Sequence, residues 1–196
     1  MDKIVDCKKA DFVEKIVSED LNTALKIAEE IEDFEAKSLA YLNIFKFTKD
    51  DTFLEKSLDN AYKCKQRDGI LLLIVESVSK INRKKAEMIA EQIKREYYRD
   101  KAFATIVENC CALDLASKIV CKRVLSSSLK RLALKNNSVK IAMAIPDPYY
   151  KALALLEFAK HDSSVFDKLE DVVDSIENEC LKNRMKRKLK ILTSKS

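Results

Sequence analysis

Clusters of positive charge are the feature of this 196-residue chain best suited to bind a ligand. The formal net charge is +5, but residues 1–60 hold 9 basic and 15 acidic residues, whereas the remainder holds 28 and 17. Residues 115–146 contain no acidic residue, and neither do residues 180–196. Runs of this kind could form a face that attracts phosphate groups or an acidic protein. The first run supplies these candidate contacts: Lys118, Lys122, Arg123, Lys130, Arg131 and Lys140.

The same basic residues also fit an ordinary solvated surface, because lysine side chains cover apolar surface with their methylene groups while the charge stays in water. A nucleic-acid contact that ignores base sequence would use the same footprint. Both interpretations stay open at the level of sequence.

Two aromatic–aromatic–cation triplets form a second candidate contact. Tyr149 and Tyr150 are followed by Lys151, and the triplet at residues 97–99 has the same pattern. Tyrosine pairs can contact a ligand, and they also suit half-buried turns between helices. Tyr149 and Tyr150 are therefore possible partner contacts, with packing as the alternative.

Catalytic and metal-binding patterns are weak in this sequence. One glycine is too few for a phosphate-binding loop, and the lone histidine, His161, has no convincing nucleophile partner. The six cysteines lack the C-x-x-C spacing typical of zinc sites. We expect no cofactor and no metal, and we expect the thiols to behave as buried small hydrophobes, Cys64 among them. An all-α enzyme that uses scattered Asp and Lys stays a further alternative.

Helices must position these groups, because one glycine and two prolines are too few for a sheet with tight turns. No apolar run approaches the length of a membrane span, and the N-terminus lacks the apolar core of a signal peptide. The sequence therefore predicts an all-α protein in the cytoplasm.

Small residues recur about every 30 positions, and each is accompanied by residues of similar type at fixed offsets. We call the recurring small residue of each unit its anchor. Offsets of −4, −1, 0 and +3 from each anchor lie on one face of a first helix, and offsets of +12 and +16 lie on one face of a second. A sixth, divergent unit fits Val173, Ile176, Met185 and Leu189. The anchors are Ala28, Ala61, Ala90, Ala116 and Ala142, and the +12 column is Ala40, Leu73, Ala102, Ser128 and Ala154.

Helix boundaries agree with this repeat. Asp147 precedes Pro148, so Asp147 suits the N-cap position and Pro148 the first helical position. Asp33 occupies the corresponding place in the first unit. Further predicted N-caps are Asp51, Asn82, Asn137 and Asp162, and the opening helix over residues 1–19 is predicted to bury Phe12, Val13, Ile16 and Val17.

The paired small residues resemble the tetratricopeptide repeat, which places small residues 12 apart on two helices with large apolar residues behind them. The pairs Ala28/Ala40, Ala90/Ala102 and Ala142/Ala154 match this pattern. The resemblance covers about residues 20–192 and implies a scaffold or peptide-binding role.

These observations predict one helical-repeat domain over residues 1–196, a right-handed α-solenoid of about six antiparallel helix hairpins with a basic tail over about residues 182–196. Its expected role is a non-catalytic scaffold that binds a protein or peptide segment on the curved face made by successive first helices. The alternative is a nucleic-acid-associated protein that contacts phosphates through its basic C-terminal half.

Overall fold

The computed structural model describes residues 3–193, and every regular element in that range is helical. The all-α prediction is therefore confirmed for the described part of the chain. Among the described helices, none is both long enough and apolar enough to span a membrane. The helices are α1 (Lys3–Ile16), α2 (Leu21–Glu30), α3 (Phe34–Thr48), α4 (Asp51–Lys63), α5 (Arg67–Val78), α6 (Arg83–Glu91), α7 (Glu96–Cys110), α8 (Lys122–Lys135), α9 (Val139–Met143), α10 (Pro148–Ala159), α11 (Phe166–Asp174) and α12 (Glu179–Thr193), with 3-10 helices at Leu113–Lys118 and Ser163–Val165.

The helices divide into two compact units, which we call unit 1 (Met1–Ala102) and unit 2 (Phe103–Ser196). In unit 1, α1 packs against α2 and α3, α3 packs against α4 and α5, and α5 packs against α6. In unit 2, α8 packs against α9 and α10, and α10 packs against α11 and α12. Helices that are close in sequence therefore pack together within each unit.

The predicted anchors lie in the core. Ala28, Ala61, Ala90 and Ala142 are fully buried, whereas Ala116 is half-buried on the 3-10 helix at Leu113–Lys118. The residues three positions later, such as Ile31 and Ile93, are buried as well. Small side chains at these positions allow neighbouring helix backbones to approach closely.

The predicted inner face of α5 is wrong by one residue. Leu73 is 43% exposed and Ser77 is half-buried, whereas Ile74 and Val78 are buried. The apolar run over residues 70–75 is compatible with more than one helical phase, so periodicity could not choose between them. Packing places Ile74, and not Leu73, toward the core.

Buried serines join two helix pairs by hydrogen bonds. Ser38 Oγ on α3 donates to the Ser57 carbonyl oxygen at 2.8 Å, and Ser57 Oγ on α4 donates back to the Ser38 carbonyl at 2.9 Å. In unit 2, Ser128 Oγ donates to the Ala104 carbonyl at 3.2 Å. The hydroxyl groups are therefore satisfied without water, as burial of a polar group requires.

Helix caps follow the sequence in most places. The carboxylates of Asp33 and Asp147 and the amide oxygen of Asn82 accept from backbone N–H groups at the predicted helix starts. Asp162 caps the 3-10 helix that it precedes. Two predicted caps are wrong: Asp50 caps α4 in place of Asp51, and Ser138 caps α9 in place of Asn137. Asn137 instead has φ of 47° in the turn after α8, a backbone conformation that asparagine tolerates better than most residues.

Two buried aspartates that the sequence did not single out hold turns in unit 1. The Asp6 carboxylate accepts from the backbone N–H groups of Glu32 and Asp33 at 3.1 and 2.8 Å. These N–H donors, that of Asp33 foremost, lower the pKa of the Asp6 carboxyl. Asp68 binds the N–H of Arg95 at 2.8 Å in the same way. Burial opposes ionisation of Asp68, but the donors outweigh it and its pKa is lowered.

Other expectations for individual side chains need correction. Phe12 is 49% exposed, although Val13 and Val17 are buried as predicted and Ile16 is partly buried. The cysteines form no disulfide within the described residues, and each is at least partly exposed, so their prediction as buried small hydrophobes is wrong. Cys64 comes closest to the expected burial. Its burial, with smaller contributions from Glu35 and Asp33, raises the pKa of its thiol to about 11.

Candidate binding surfaces

The basic run of unit 2 lies on the 3-10 helix, α8 and α9. Within α8, Ser126, Leu129 and Ala133 face the core, so the opposite side presents Arg123, Lys130 and Arg131. Arg123 and Lys130 are seven residues apart and therefore share one face of this helix. The structure thus brings part of the predicted contact set together, while Lys118 and Lys140 lie on neighbouring elements.

Arg131 is not an open phosphate contact. Its guanidinium forms a two-pronged ion pair with Glu108, with Nε–Oε2 at 2.8 Å and Nη2–Oε1 at 2.5 Å, and its third nitrogen donates to Ser127 Oγ. The hydrogen bond to Glu108 raises the pKa of Arg131. Lys135 Nζ donates to the Glu108 carbonyl at 3.3 Å. An anion could bind Arg131 only by competing with an intramolecular carboxylate.

The remaining predicted cations differ in their surroundings. Lys118 Nζ lies 5.1 Å from the centre of the Phe103 ring, a cation–π geometry. Arg123 also has an interaction partner. Lys122 and Lys140 are exposed and Lys130 is half-buried, and none of the three has an ion pair with any residue of the described range.

The two tyrosine pairs have matching geometries. The Tyr149 and Tyr150 rings are 6.1 Å apart at 79°, and the Tyr97 and Tyr98 rings are 5.6 Å apart at 83°. Both are edge-to-face contacts between neighbours at the start of a helix. Arg95 lies over the Tyr98 ring at 4.6 Å. Tyr149 and Tyr150 are half-buried, and their role as partner contacts stays a prediction.

A polar groove, which we call the mixed groove, lies between α2, α3 and α4 in unit 1. Glu29, one of its wall residues, is exposed and lies 3.8 Å from Lys56. Lys37 Nζ donates to the Glu29 carbonyl at 2.9 Å, and Lys56 lies 5.1 Å from the Tyr41 ring centre. Much of the charge in this groove is therefore already paired. Its lining residues are Glu29, Glu30, Ile31, Glu32, Phe34, Lys37, Tyr41, Lys56, Asp59, Asn60 and Lys63.

A second, more apolar groove, which we call the Met88 groove, lies between α4 and α6. Its volume is about 170 Å³. Met88 is 66% exposed at its rim, while Leu54 and Ile89 are buried at its base. Sequence reasoning missed this groove because Met88 stands off the predicted inner face. Its lining residues are Asp51, Leu54, Glu55, Leu58, Lys85, Met88 and Ile89.

The charged residues around the Met88 groove differ in whether they have an ion-pair partner. Lys85 Nζ lies 2.5 Å from Asp51 Oδ2, so these two charges neutralise each other. Glu55 is exposed, and in the described range it has no ion-pair partner. The groove therefore combines an apolar floor, an adaptable methionine and one open carboxylate.

Across residues 3–193, no three His, Cys, Asp or Glu side chains come together in a way that could hold a metal ion. His161 follows α10 and is exposed.

Comparison of the chain with protein-family models, with curated proteins and with solved structures found no match in any of the three. The tetratricopeptide resemblance therefore rests on the residues quoted above, and it stays a prediction.

Proposed function

We propose that this chain is a non-catalytic, cytosolic protein-interaction module whose helix pairs stack as a right-handed α-solenoid similar to tetratricopeptide proteins. Its partner is an extended or helical peptide segment that docks in grooves between successive first helices of unit 1. In this scheme the first helices are α2, α4 and α6, and the second helices are α3 and α5.

The observation that carries this proposal is the position of the two grooves. The mixed groove has walls from α2 and α4, and the Met88 groove lies between α4 and α6. The small residues of the repeat, Ala28, Ala61 and Ala90, are buried on these same three helices. Because α2 and α4 pack against α3, and α4 and α6 pack against α5, we assign the partner to the faces of α2, α4 and α6 that point away from α3 and α5.

The chemistry of the Met88 groove indicates the kind of segment that fits. One large apolar side chain of the partner would contact Leu58 and Met88, since thioether side chains adapt their shape to a ligand. A neighbouring Lys or Arg of the partner would pair with Glu55. Residues 1–60 carry more acidic than basic residues, which also favours a basic segment.

Selection of peptides from a random display library against the full chain tests this proposal. We expect enriched sequences to combine a large apolar residue with Lys or Arg, and we expect Met88→Glu to weaken their binding at least about tenfold. The matched control is Ile81→Glu, which also places a charge at an exposed apolar residue of unit 1, outside both grooves. Equal binding by wild type and Met88→Glu, or equal losses in the two variants, would contradict the proposal.

A further inference from the structure

The last helix of unit 2 separates its basic residues into two sets. Met185 on α12 is fully buried. On one side of α12, Lys182 and Lys186 pair with Asp174 of α11: Lys186 Nζ lies 2.9 Å from Asp174 Oδ1, and Lys182 Nζ donates to the Asp174 carbonyl at 2.7 Å. These pairs lower the pKa of Asp174 and raise that of Lys186. This set of cations is neutralised within the unit.

The second set has no such partner. Arg184, Arg187, Lys188 and Lys190 form no side-chain ion pair or hydrogen bond with the residues that the structure describes. Arg184, Arg187 and Lys188 share one face of α12 away from Asp174, because they are related by three and four residues. Lys190 instead follows Lys186 by four residues and lines the same groove as Asp174. Arg184 and Arg187 are exposed, and Lys188 is half-buried. From residue 180 onward the sequence contains no acidic residue. We call Arg184, Arg187 and Lys188 the α12 basic face.

Helix stability does not account for the α12 basic face. Arg184 is three residues from Arg187 and four residues from Lys188, so like charges face each other, which costs about 0.2–0.5 kcal/mol per pair. The helix dipole favours cations only near the last turn, where Lys190 lies. Arg184 and Arg187 are therefore not needed for helix stability and are open to an external anion.

We propose that the α12 basic face binds the phosphate backbone of duplex nucleic acid without reading its sequence. Repeating phosphates match a row of arginine and lysine side chains along a helix, and arginine forms planar paired hydrogen bonds with phosphate oxygens. The helix carries no aromatic residue, so it offers no stacking platform of the kind that single-strand binders use. This surface is a better site for paired arginine–phosphate hydrogen bonds than α8, because Arg184 and Arg187 have no ion pair in the described range, whereas Arg131 of α8 is already paired with Glu108.

This inference goes beyond the proposed partner groove and is independent of it, since the groove lies in unit 1 and α12 lies in unit 2. A variant of Met88 tests one surface, and a variant of α12 tests the other. Failure of either proposal leaves the other measurable.

The test is fluorescence anisotropy of a labelled 20-base-pair DNA duplex with the full chain over a range of salt concentrations. Three phosphate contacts predict a slope of log K against log salt of about −3. Arg184→Gln with Arg187→Gln should reduce this slope by about 2 and weaken binding about 60-fold at 0.1 M salt. Arg184→Lys with Arg187→Lys keeps both charges and should keep the slope.

The control is Lys8→Gln with Lys15→Gln, which removes the same charge from exposed lysines of unit 1 that have no side-chain partner among residues 3–193. This control should bind the duplex like wild type. The proposal is overturned if wild type does not bind the duplex at 50 mM salt or if the Gln variant of α12 keeps the wild-type salt slope. It is also overturned if the control loses as much affinity for the duplex as that variant. Tighter binding of polyglutamate than of the duplex would overturn it in favour of an acidic protein.

Discussion

The face of α5 that packs against the core gives the sharpest test of the fold. The sequence predicts that this face contains Leu73, whereas in the structure it contains the next residue, Ile74. Ile74 has no exposed surface, whereas Leu73 is 43% exposed. Truncation of a buried Ile to Ala removes its transfer free energy and leaves a cavity, so Ile74→Ala should destabilise the protein by about 3–4 kcal/mol. Leu73 has much less surface to lose, and Ala is the better helix former, so Leu73→Ala should cost about 1 kcal/mol or less.

Urea unfolding followed by circular dichroism measures both free energies of unfolding. Thermal unfolding followed by the same signal measures the Tm of each variant. For a chain of this size, 1 kcal/mol corresponds to a shift of roughly 2–4 °C in Tm, so Ile74→Ala should lower the Tm by about 6–16 °C. Leu73→Ala should lower it by about 4 °C at most. The reasoning is refuted if Leu73→Ala is the more damaging change, since that order belongs to the phase expected from sequence alone.

Three further predictions follow from individual side chains. Because the pKa of Asp68 is lowered, its carboxylate stabilises the fold above about pH 4, and this contribution is lost as the pH falls further. The difference in unfolding free energy between wild type and Asp68→Asn should therefore shrink from pH 6 to pH 2.5. A constant difference would contradict the role of the ionised carboxylate. Burial raises the thiol pKa of Cys64 to about 11, so Cys64 should react with iodoacetamide at pH 8 at least about tenfold more slowly than the exposed Cys180. Peptide mass spectrometry measures both rates, and equal rates would count against the burial of Cys64. A double-mutant cycle of Arg131→Gln and Glu108→Gln should give a coupling energy of about 1 kcal/mol at low salt, because the ion pair is two-pronged but partly exposed. A coupling energy of zero would show that the ion pair does not form in solution.

The helical class and most helix starts could be predicted because they depend on local chemistry. Asp33 and Asp147 are short polar residues placed directly before apolar helical patterns, and each caps the predicted helix. The prediction of Asp51 as a cap is wrong, because Asp50 beside it is the same residue type and caps α4 instead. The phase of α5 failed for a related reason, since its apolar run permits several faces.

The surfaces were harder to predict than the core, because the partner of a charged side chain depends on the tertiary fold. Nothing in the sequence near Arg131 indicates that Glu108, 23 residues earlier, neutralises it. Asp174 pairs with Lys186 in the same way, which divides the cations of α12 into paired and open sets. The Met88 groove gave no sequence signal either, because an exposed methionine is recognised only once its neighbours are known.

Methyl NMR of the methionines tests the central claim most directly, namely that a partner segment docks between successive first helices. Met88 lies at the groove in unit 1, whereas Met143 and Met185 lie in unit 2. Titration of the full chain with a selected apolar and basic peptide should shift the Met88 methyl resonance and leave the Met143 and Met185 resonances in place. An unmoved Met88 signal, together with a shift at Met143 or Met185, would contradict the account.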